Sequence, residues 1–311
     1  MASFLITGGA GFVGSHLVEE LLRRGEQVRV LDNFSTSKRE NIGSFLDNVE
    51  LIEGDIRSYH TVRDAVDNVD IILHQGALPS VPRSVKDPLT TNEVNVSGTL
   101  NILDAARDAG VTRVVFASSS SVYGANQEIP KREEMLPMPI SPYAVSKLTG
   151  EKYCEVFSQI YGLETVVLRY FNVFGPRQDP QSSYAAFIPR FIVGIAEGKE
   201  LTINGDGRQS RDFTFVSNVV DANLRAAQAE DVGGQVFNVA CGSSLTVNEV
   251  VDVIRETLGT QGNVKHGPPA PGDVPHSLAD ISRAREHLGY EPLVPAAEGL
   301  RRAVQWFRKE T

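Results

Sequence analysis

The sequence predicts an α/β fold, a doubly wound parallel sheet joined to a smaller C-terminal α/β lobe. A glycine-rich turn follows the first apolar run, apolar runs then alternate with amphipathic stretches up to Tyr170, and the pattern changes after Phe171. At 311 residues the chain suffices for one large unit with an added lobe, or for two domains sharing an interface. The net charge of -9 argues against broad nucleic-acid binding, so an anionic ligand has to be held by local groups. No apolar run approaches membrane-spanning length, and a first strand starting at Ser3 or Phe4 leaves no room for a signal or transit peptide. A cytoplasmic location is expected. Cys154 and Cys241 lie far apart without metal-ligand spacing, so they read as buried reduced thiols and no metal is expected.

Phe4 to Thr7 reads as a buried parallel strand, and Gly8-Gly9-Ala10-Gly11-Phe12-Val13-Gly14 opens an amphipathic helix to Arg24. Glycines at this turn let backbone N–H groups at the helix start reach a pyrophosphate, which makes Gly8, Gly11, Phe12, Val13 and Gly14 candidate cofactor contacts. The strand from Gln27 to Leu31 ends in Asp32, at the right distance for a carboxylate that binds ribose hydroxyls. A carboxylate there repels a 2′-phosphate and favours NAD over NADP; Lys38 and Arg39 are the counter-evidence. Asn33, Ser35, Thr36 and Ser37 are expected to line the adenosine side, and Asp55-Ile56, after a strand from Val49 to Glu53, the adenine edge.

A helix from Ser58 to Asn68 and a strand from Asp70 to His74 lead to Gln75-Gly76-Ala77, small enough for a cofactor to pass closely. Pro79, Pro82 and Pro88 mark a loop, after which Thr91 to Ala109 reads as one helix closed by Gly110. Asn95 within it is either a satisfied polar residue or a functional one. Arg113 to Ala117 is a fifth strand and Glu164 to Tyr170 a sixth.

The fifth strand delivers Ser118-Ser119-Ser120-Ser121 at its carboxyl end, where ligands of open parallel sheets bind. Pro142 then starts a helix to Tyr161, stopped by Gly162, which puts Tyr143 and Lys147 one turn apart on one face. A phenol of pKa ~10 is a poor base at neutral pH. An ammonium about 4 Å away contributes up to ~4 kcal/mol, or about three pKa units, at an effective dielectric of roughly 20. Tyr143 is thus expected to take a proton from a substrate hydroxyl while a serine shares the hydrogen bond.

Beyond Phe171 a polar loop to Ser183 leads to a helix from Ala185 to Glu197, a short strand from Leu201 to Asn204, and a strand from Arg211 to Val216 returning to the sheet. A helix through Ala229, a strand from Gln235 to Ala240 and a capping box at Thr246 and Glu249 opening a helix to Leu258 follow, with the remainder in the smaller lobe. Residues 1–171 plus 212–240 are assigned to the nucleotide half, and 172–211 plus 241–311 to the substrate half. Arg177, Arg190, Arg208 and Arg211 suit a diphosphate, Arg211 most of all because it stands at a strand entrance.

Several blocks together carry a resemblance: Leu73-His74-Gln75, Ser80 to Ser84, Arg169 to Gly175, Arg177 to Pro180, Tyr184-Ala185-Ala186, Ile203 to Gly207, Ser210 to Phe213, and His276 to Asp280. They resemble the extended short-chain dehydrogenase/reductases over nearly the whole chain, in particular the nucleotide-sugar epimerase and dehydratase family. The likeness is greatest to the UDP-N-acetylglucosamine and UDP-glucose 4-epimerases. The resemblance implies a Rossmann fold with bound NAD, a UDP-sugar substrate and a homodimer built on the helices that carry Asn95 and Lys147. It makes Ser119, Tyr143 and Lys147 catalytic, with Lys147 on the nicotinamide ribose and Asn95 and Phe171 on the cofactor side. Ser80, Ser120 and Ser121 fall beside the sugar, Asn172 and Arg211 at the diphosphate, Ala186 and Phe187 on the uridine side, and Thr202, Ile203 and Asn204 at the uracil and ribose.

In that family a dehydratase or decarboxylase has an acidic residue near the position of Ser120-Ser121, so epimerisation at C4 is implied. Ser277 is small where epimerases restricted to unacetylated sugars are bulky, which implies room for an N-acetyl group. A UDP-glucuronate 4-epimerase is the runner-up, against which Asn172 stands where those enzymes have Thr. A non-catalytic NAD-sensing protein is a third reading, and the presence of both Tyr143 and Lys147 weighs against it. One departure from the family is Ala270 where an arginine is usual, with Arg177, Arg208 or His276 as candidates to replace it.

Overall fold

Alternation of apolar runs with helical stretches produces a parallel sheet here because each crossover helix covers one face. The computed structural model describes residues 2–180, 187–268 and 275–310. The first half runs β1 (Ser3–Thr7), α1 (Phe12–Arg23), β2 (Gln27–Asp32), β3 (Glu50–Glu53), α2 (Tyr59–Val66) and β4 (Ile71–His74). Next come α3 (Val81–Lys86), α4 (Pro88–Asn92), a π-helical turn (Glu93–Ser97) and α5 (Gly98–Ala109). β5 (Arg113–Ser119), α6 (Pro142–Tyr161) and β6 (Glu164–Tyr170) complete this part. The second half holds β7 (Val173–Phe174), α7 (Phe187–Ala196), β8 (Glu200–Asn204), β9 (Ser210–Arg211), β10 (Thr214–Phe215), α8 (Val216–Gln228) and β11 (Gln235–Val239). It ends with β12 (Leu245–Thr246), α9 (Val247–Leu258), β13 (Asn263–Gly267), α10 (Ser282–Leu288) and α11 (Ala296–Glu310).

Seven strands pair in the order β11-β6-β5-β4-β1-β2-β3, every pair parallel. The chain builds outward from β1 to β3, then returns past β1 to build β4, β5 and β6 on the other side. The reversal between β1 and β4 opens a crevice at the carboxyl ends of the strands. Leu17, Val18 and Leu21 of α1 and Val219 and Leu224 of α8 bury one sheet face. Val62 and Val66 of α2, Ile102 and Leu103 of α5, and Cys154 and Phe157 of α6 bury the other. A third core joins Phe174, Phe191, Phe213 and Phe215 to Val250, Ile254, Leu300 and Phe307 beneath the second half. Ala279, Ile281, Ala284, Leu288 and Tyr290 bury with α1 and α8, not with this third core.

Several expectations give way. The segment with Pro82 and Pro88 is helical, because both prolines sit in first turns whose amides Ser80 and Asp87 cap. The expected strand from Arg211 to Val216 is two short strands: β9 pairs antiparallel with β12, β10 pairs with β7, and neither joins the central sheet. Val216 already belongs to α8. Cys241 is half-buried, with its thiol near the Asn218 amide at 3.7 Å, whereas Cys154 is fully buried. No helix among the described residues is long and apolar enough to cross a membrane.

Helix α6 lies unusually close to β5. At Gly150 a Cβ would stand 2.5 Å from the Phe116 ring, so only a glycine permits this approach. One residue on, Glu151 is 3% exposed and receives two hydrogen bonds from Arg169 of β6, at 2.9 and 2.7 Å, as well as the Ser118 hydroxyl of β5. The Arg169 guanidinium lies 4.8 Å over the Tyr123 ring, and the Tyr123 hydroxyl donates to Asn238 of β11 at 2.7 Å. Arg169→Met strands a buried carboxylate and is expected to cost about 3–5 kcal/mol of unfolding free energy. The Glu151→Met, Arg169→Met double variant regains part of that loss in urea melts; a double variant as unstable as the sum of the singles would refute the pairing.

Candidate functional site

A cleft of about 1230 Å³ runs across the carboxyl ends of the sheet, and a second cavity of about 290 Å³ shares Asn172, Val173 and Arg211 with it. Together they exceed what one small ligand fills.

At the nucleotide end the cleft is built on backbone. Gly14 is held so tightly that a Cβ would sit 2.1 Å from the Gly8 carbonyl oxygen, and Gly8 itself has φ 67°. The N-terminus of α1 receives no side-chain cap and has no acidic residue in its first turn, so its free amides and positive dipole end face the cleft. Gly8, Gly11, Phe12, Val13 and Gly14 all line it. These features fit a pyrophosphate.

Asp32 is 7% exposed at the end of β2. Its carboxylate accepts from the amides of Ala10 (3.0 Å) and Phe34 (2.9 Å) and from the Ser37 hydroxyl (2.6 Å), which fix its orientation toward the cleft wall. Asn33, Ser35, Thr36, Ser37, Asp55 and Ile56 line the same end. The two cations that argued for a 2′-phosphate are otherwise engaged: Lys38 pairs with Asp179 at 3.4 Å, and Arg39 stacks on Phe34 and pairs with Glu53. Gln75, Gly76 and Ala77 form the opposite wall, with Phe171 behind.

Asn95 does not line the cleft. It is buried in the π-helical turn, where its side chain accepts from the Leu78 amide (2.7 Å) and donates to the Leu78 carbonyl (3.1 Å) and the Ser146 hydroxyl (3.0 Å). Where a cofactor contact is expected, Asn95 instead forms a bracket between Leu78 and Ser146 of α6.

His74, 1% exposed, runs beneath that wall. Thr99 donates to the Asn95 carbonyl at 2.7 Å and so accepts from His74 Nε2 at 3.0 Å. Nδ1 then accepts from the Thr7 hydroxyl at 2.6 Å, and Thr7 accepts from the Gly76 amide at 3.0 Å. This chain requires a neutral imidazole with its proton on Nε2. Burial pulls the His74 pKa down to about 3, with the Lys147 charge acting the same way.

The centre of the cleft carries Ser119, Ser120, Ser121, Tyr143 and Lys147. Tyr143 rides the first turn of α6, capped by Ser141 with Pro142 at its start. Its phenol does not have the lowered pKa expected from the sequence. Burial pushes it up, and the hydrogen bond to Ser119 pulls the other way. Lys147 is 5% exposed; its ammonium donates to the Ala117 carbonyl at 2.8 Å and lies 5.1 Å from the Phe116 ring centroid. Burial pulls its pKa down to about 8 against the opposing influences of Cys154 and Glu151. The ammonium is fixed to the strand end, and burial sets the direction for the phenol.

Ser80, Asn172, Arg211 and Ser277 line the far end of the cleft. Phe187, Thr202, Ile203 and Asn204 line the second cavity together with Arg190 and Arg211. Ala186 and Ala270 lie outside the described residues. Of the candidates to replace an arginine at 270, Arg177 turns away to Glu19 on α1 and Arg208 is exposed beside Asp206, whereas His276 lines the cleft. Sequence reasoning missed Arg83, Lys131, Ile140 and Gln178, which also line it. They stand in irregular or short elements with no periodic signal. No group of His, Cys, Asp and Glu among the described residues is arranged to hold a metal ion.

An uncapped glycine turn at the reversal of a parallel sheet, with a Ser-Tyr-Lys set across from it, defines a dinucleotide-dependent enzyme of the Rossmann type. The sequence pattern of the NAD-dependent epimerase/dehydratase family matches residues 4–240. A UDP-glucose 4-epimerase of Mycolicibacterium smegmatis is 40% identical over 311 residues, covering 99% of each chain. Among solved structures, the UDP-N-acetylglucosamine 4-epimerase from Methanobrevibacter ruminantium M1 in complex with UDP-N-acetylmuramic acid is 40% identical with a TM-score of 0.95, over 100% of this chain and 99% of that one. The complex of the Thermus thermophilus UDP-glucose 4-epimerase with NAD is 38% identical with a TM-score of 0.90, over 99% and 100%. The chain belongs to the NAD-dependent epimerase/dehydratase family, and its cofactor is NAD.

His74 gives the fold a pH dependence. It titrates near 6.5 when unfolded and stays neutral in the fold until about 3, so the unfolded chain binds the extra proton in between. Stability therefore falls as pH drops below about 6.5, by at most ~1.4 kcal/mol per pH unit from this residue. Urea midpoints measured between about pH 7.5 and about pH 5 should fall less in His74→Gln than in the parent; an equal fall would contradict this account.

Proposed function

We propose that the protein is a UDP-hexose 4-epimerase that accepts N-acetylated sugars, interconverting UDP-GlcNAc and UDP-GalNAc and also UDP-glucose and UDP-galactose. One observation carries the reading: the sugar end of the cleft presents Ser119, Ser120, Ser121 and Tyr143, and among the described residues no carboxylate lines it. Asp32, Asp55 and Asp179 line the cofactor end. Elimination of water from a sugar needs an acid positioned at the leaving hydroxyl, whereas epimerisation needs one proton acceptor at O4. When bound, NAD supplies a hydride acceptor for the sugar carbon and a positive charge beside the phenol.

Tyr143 accepts the O4 proton and later returns it. Ser119 shares that hydrogen bond and holds the phenol oxygen in place. Lys147, tied to Ala117, holds the nicotinamide ribose, and Asp32 the adenosine ribose. Arg211 stands where both cavities meet and suits the diphosphate, with Asn172 beside it; the 290 Å³ cavity of Phe187, Thr202, Ile203 and Asn204 suits the uridine. The sugar has to turn over between the two hydride steps, and Ser120, Ser121 and Ser277 leave room for this. Residues 1–171 and 212–240 would serve the cofactor and the rest the nucleotide sugar. Val85, Leu89 and Ile160 are exposed on α3, α4 and α6, which pack side by side and suit the pairing of two copies.

Purified protein incubated with UDP-GlcNAc and with UDP-glucose should yield the C4 epimer of at least one, resolved by chromatography; no epimer from either would refute the reading. Tyr143→Phe should lose about 10²-fold or more in turnover while still binding NAD, whereas a protein that only senses NAD would show no turnover to lose. Sedimentation should give twice the monomer mass.

A further inference from the structure

Lys131 lies between β5 and α6, in a segment that bridges to Ala279. Its amide donates to the Leu278 carbonyl at 2.7 Å, and its carbonyl accepts from the Asp280 amide at 2.9 Å. That bridge sets the residue against the chain carrying Ser277, and Lys131 and Ser277 both line the cleft. Lys131 is 5% exposed. Its ammonium donates one hydrogen bond, to the backbone carbonyl of Asn126, and makes no ion pair among the described residues. Glu128, the carboxylate whose charge acts on it, is exposed and salt-bridged to Arg132.

A buried cation is expected to have a counter-charge, because desolvation without one is costly. Among the described residues two of its three donors have no acceptor, and those lining the cavity at this end offer hydroxyls and the further cation Arg83, with no carboxylate among them. The missing partner belongs to whatever fills the cleft. A diphosphate is a poor candidate for it, since Arg211 stands at the junction with the second cavity.

We propose that Lys131 is a specificity residue that binds a carboxylate carried by the sugar, so that the site takes acidic nucleotide sugars in addition to neutral ones. The proposal rests on the UDP-sugar reading of the cleft and extends it. The carboxylate could be that of a uronic acid, at C6, or of a carboxyalkyl ether on a ring oxygen.

Equilibrium binding to the NAD-loaded protein tests it, with UDP-GlcNAc, UDP-glucuronate and the 3-O-carboxyethyl ether of UDP-GlcNAc as probes. Lys131→Met should weaken at least one acidic probe about tenfold or more relative to UDP-GlcNAc, the loss expected for one charge-assisted hydrogen bond. The probe affected identifies the source of the carboxylate. Lys131→Arg, which keeps the charge, should retain most of the preference. An unchanged ratio for both acidic probes, or an equal loss for all three, would overturn the proposal, the latter marking Lys131 as a prop for the Asn126 loop. Thermal melting and NAD content establish that each variant is folded, and Lys131→Gln replaces the Met variant if it is not. Turnover of UDP-GlcNAc by the parent is scored separately: its absence would sink the epimerase reading and leave the binding ratios to decide this one.

Discussion

The contact of α6 with β5 governs the geometry of the site. Glu151 is drawn into the protein by Arg169 and Ser118, and the missing side chain at Gly150 lets the helix settle on Phe116. One turn earlier this places Lys147 under the strand end, and two turns earlier Tyr143 opposite Ser119. The serine hydroxyls and the phenol come from segments more than twenty residues apart. An ion pair that neither Ser119 nor Tyr143 touches sets their separation.

A second constraint lies under the cofactor wall. Thr7, His74, Thr99 and Asn95 form a continuous hydrogen-bonded chain that ends on Leu78 and Ser146. Every member is satisfied, and the chain ties Gly76 and Leu78 of the wall to the sheet and to α6. The price is a histidine that has to remain neutral. The two constraints meet at α6, because Ser146 donates to the Tyr143 carbonyl at 2.8 Å.

Much of this was legible in the sequence. The bounds of α6 and β6 and the capping box of α9 agree with expectation to the residue, because Pro142, Gly162 and the pair Thr246 and Glu249 are local signals that tertiary structure had no reason to override. The glycine turn and Asp32 were legible because a strand, a turn and a helix occupy consecutive positions. What escaped was set by distant contacts. Proline read as a loop signal at 82 and 88, although capping by Ser80 and Asp87 makes the same residue a helix starter. Arg211 to Val216 has strand-forming residues, but they pair with the short β12 and β7 instead of the central sheet. The acidity of Tyr143 was argued from its spacing to Lys147, and spacing carries no information about desolvation, which dominates. Lys131 gave no signal because its meaning depends on a bridge to a segment nearly 150 residues downstream.

The π-helical turn at Glu93–Ser97 holds one residue more than an α-helical turn would. That surplus residue acts as a phase marker. The widened turn absorbs that residue locally, whereas losing a residue from the regular winding of α5 would rotate everything upstream by about 100°, swinging α4 off α6 and lifting Leu78 from its bracket. The chain can drift in composition along this helix far more freely than it can change in length, so its residue count is under tighter constraint than its residue identities.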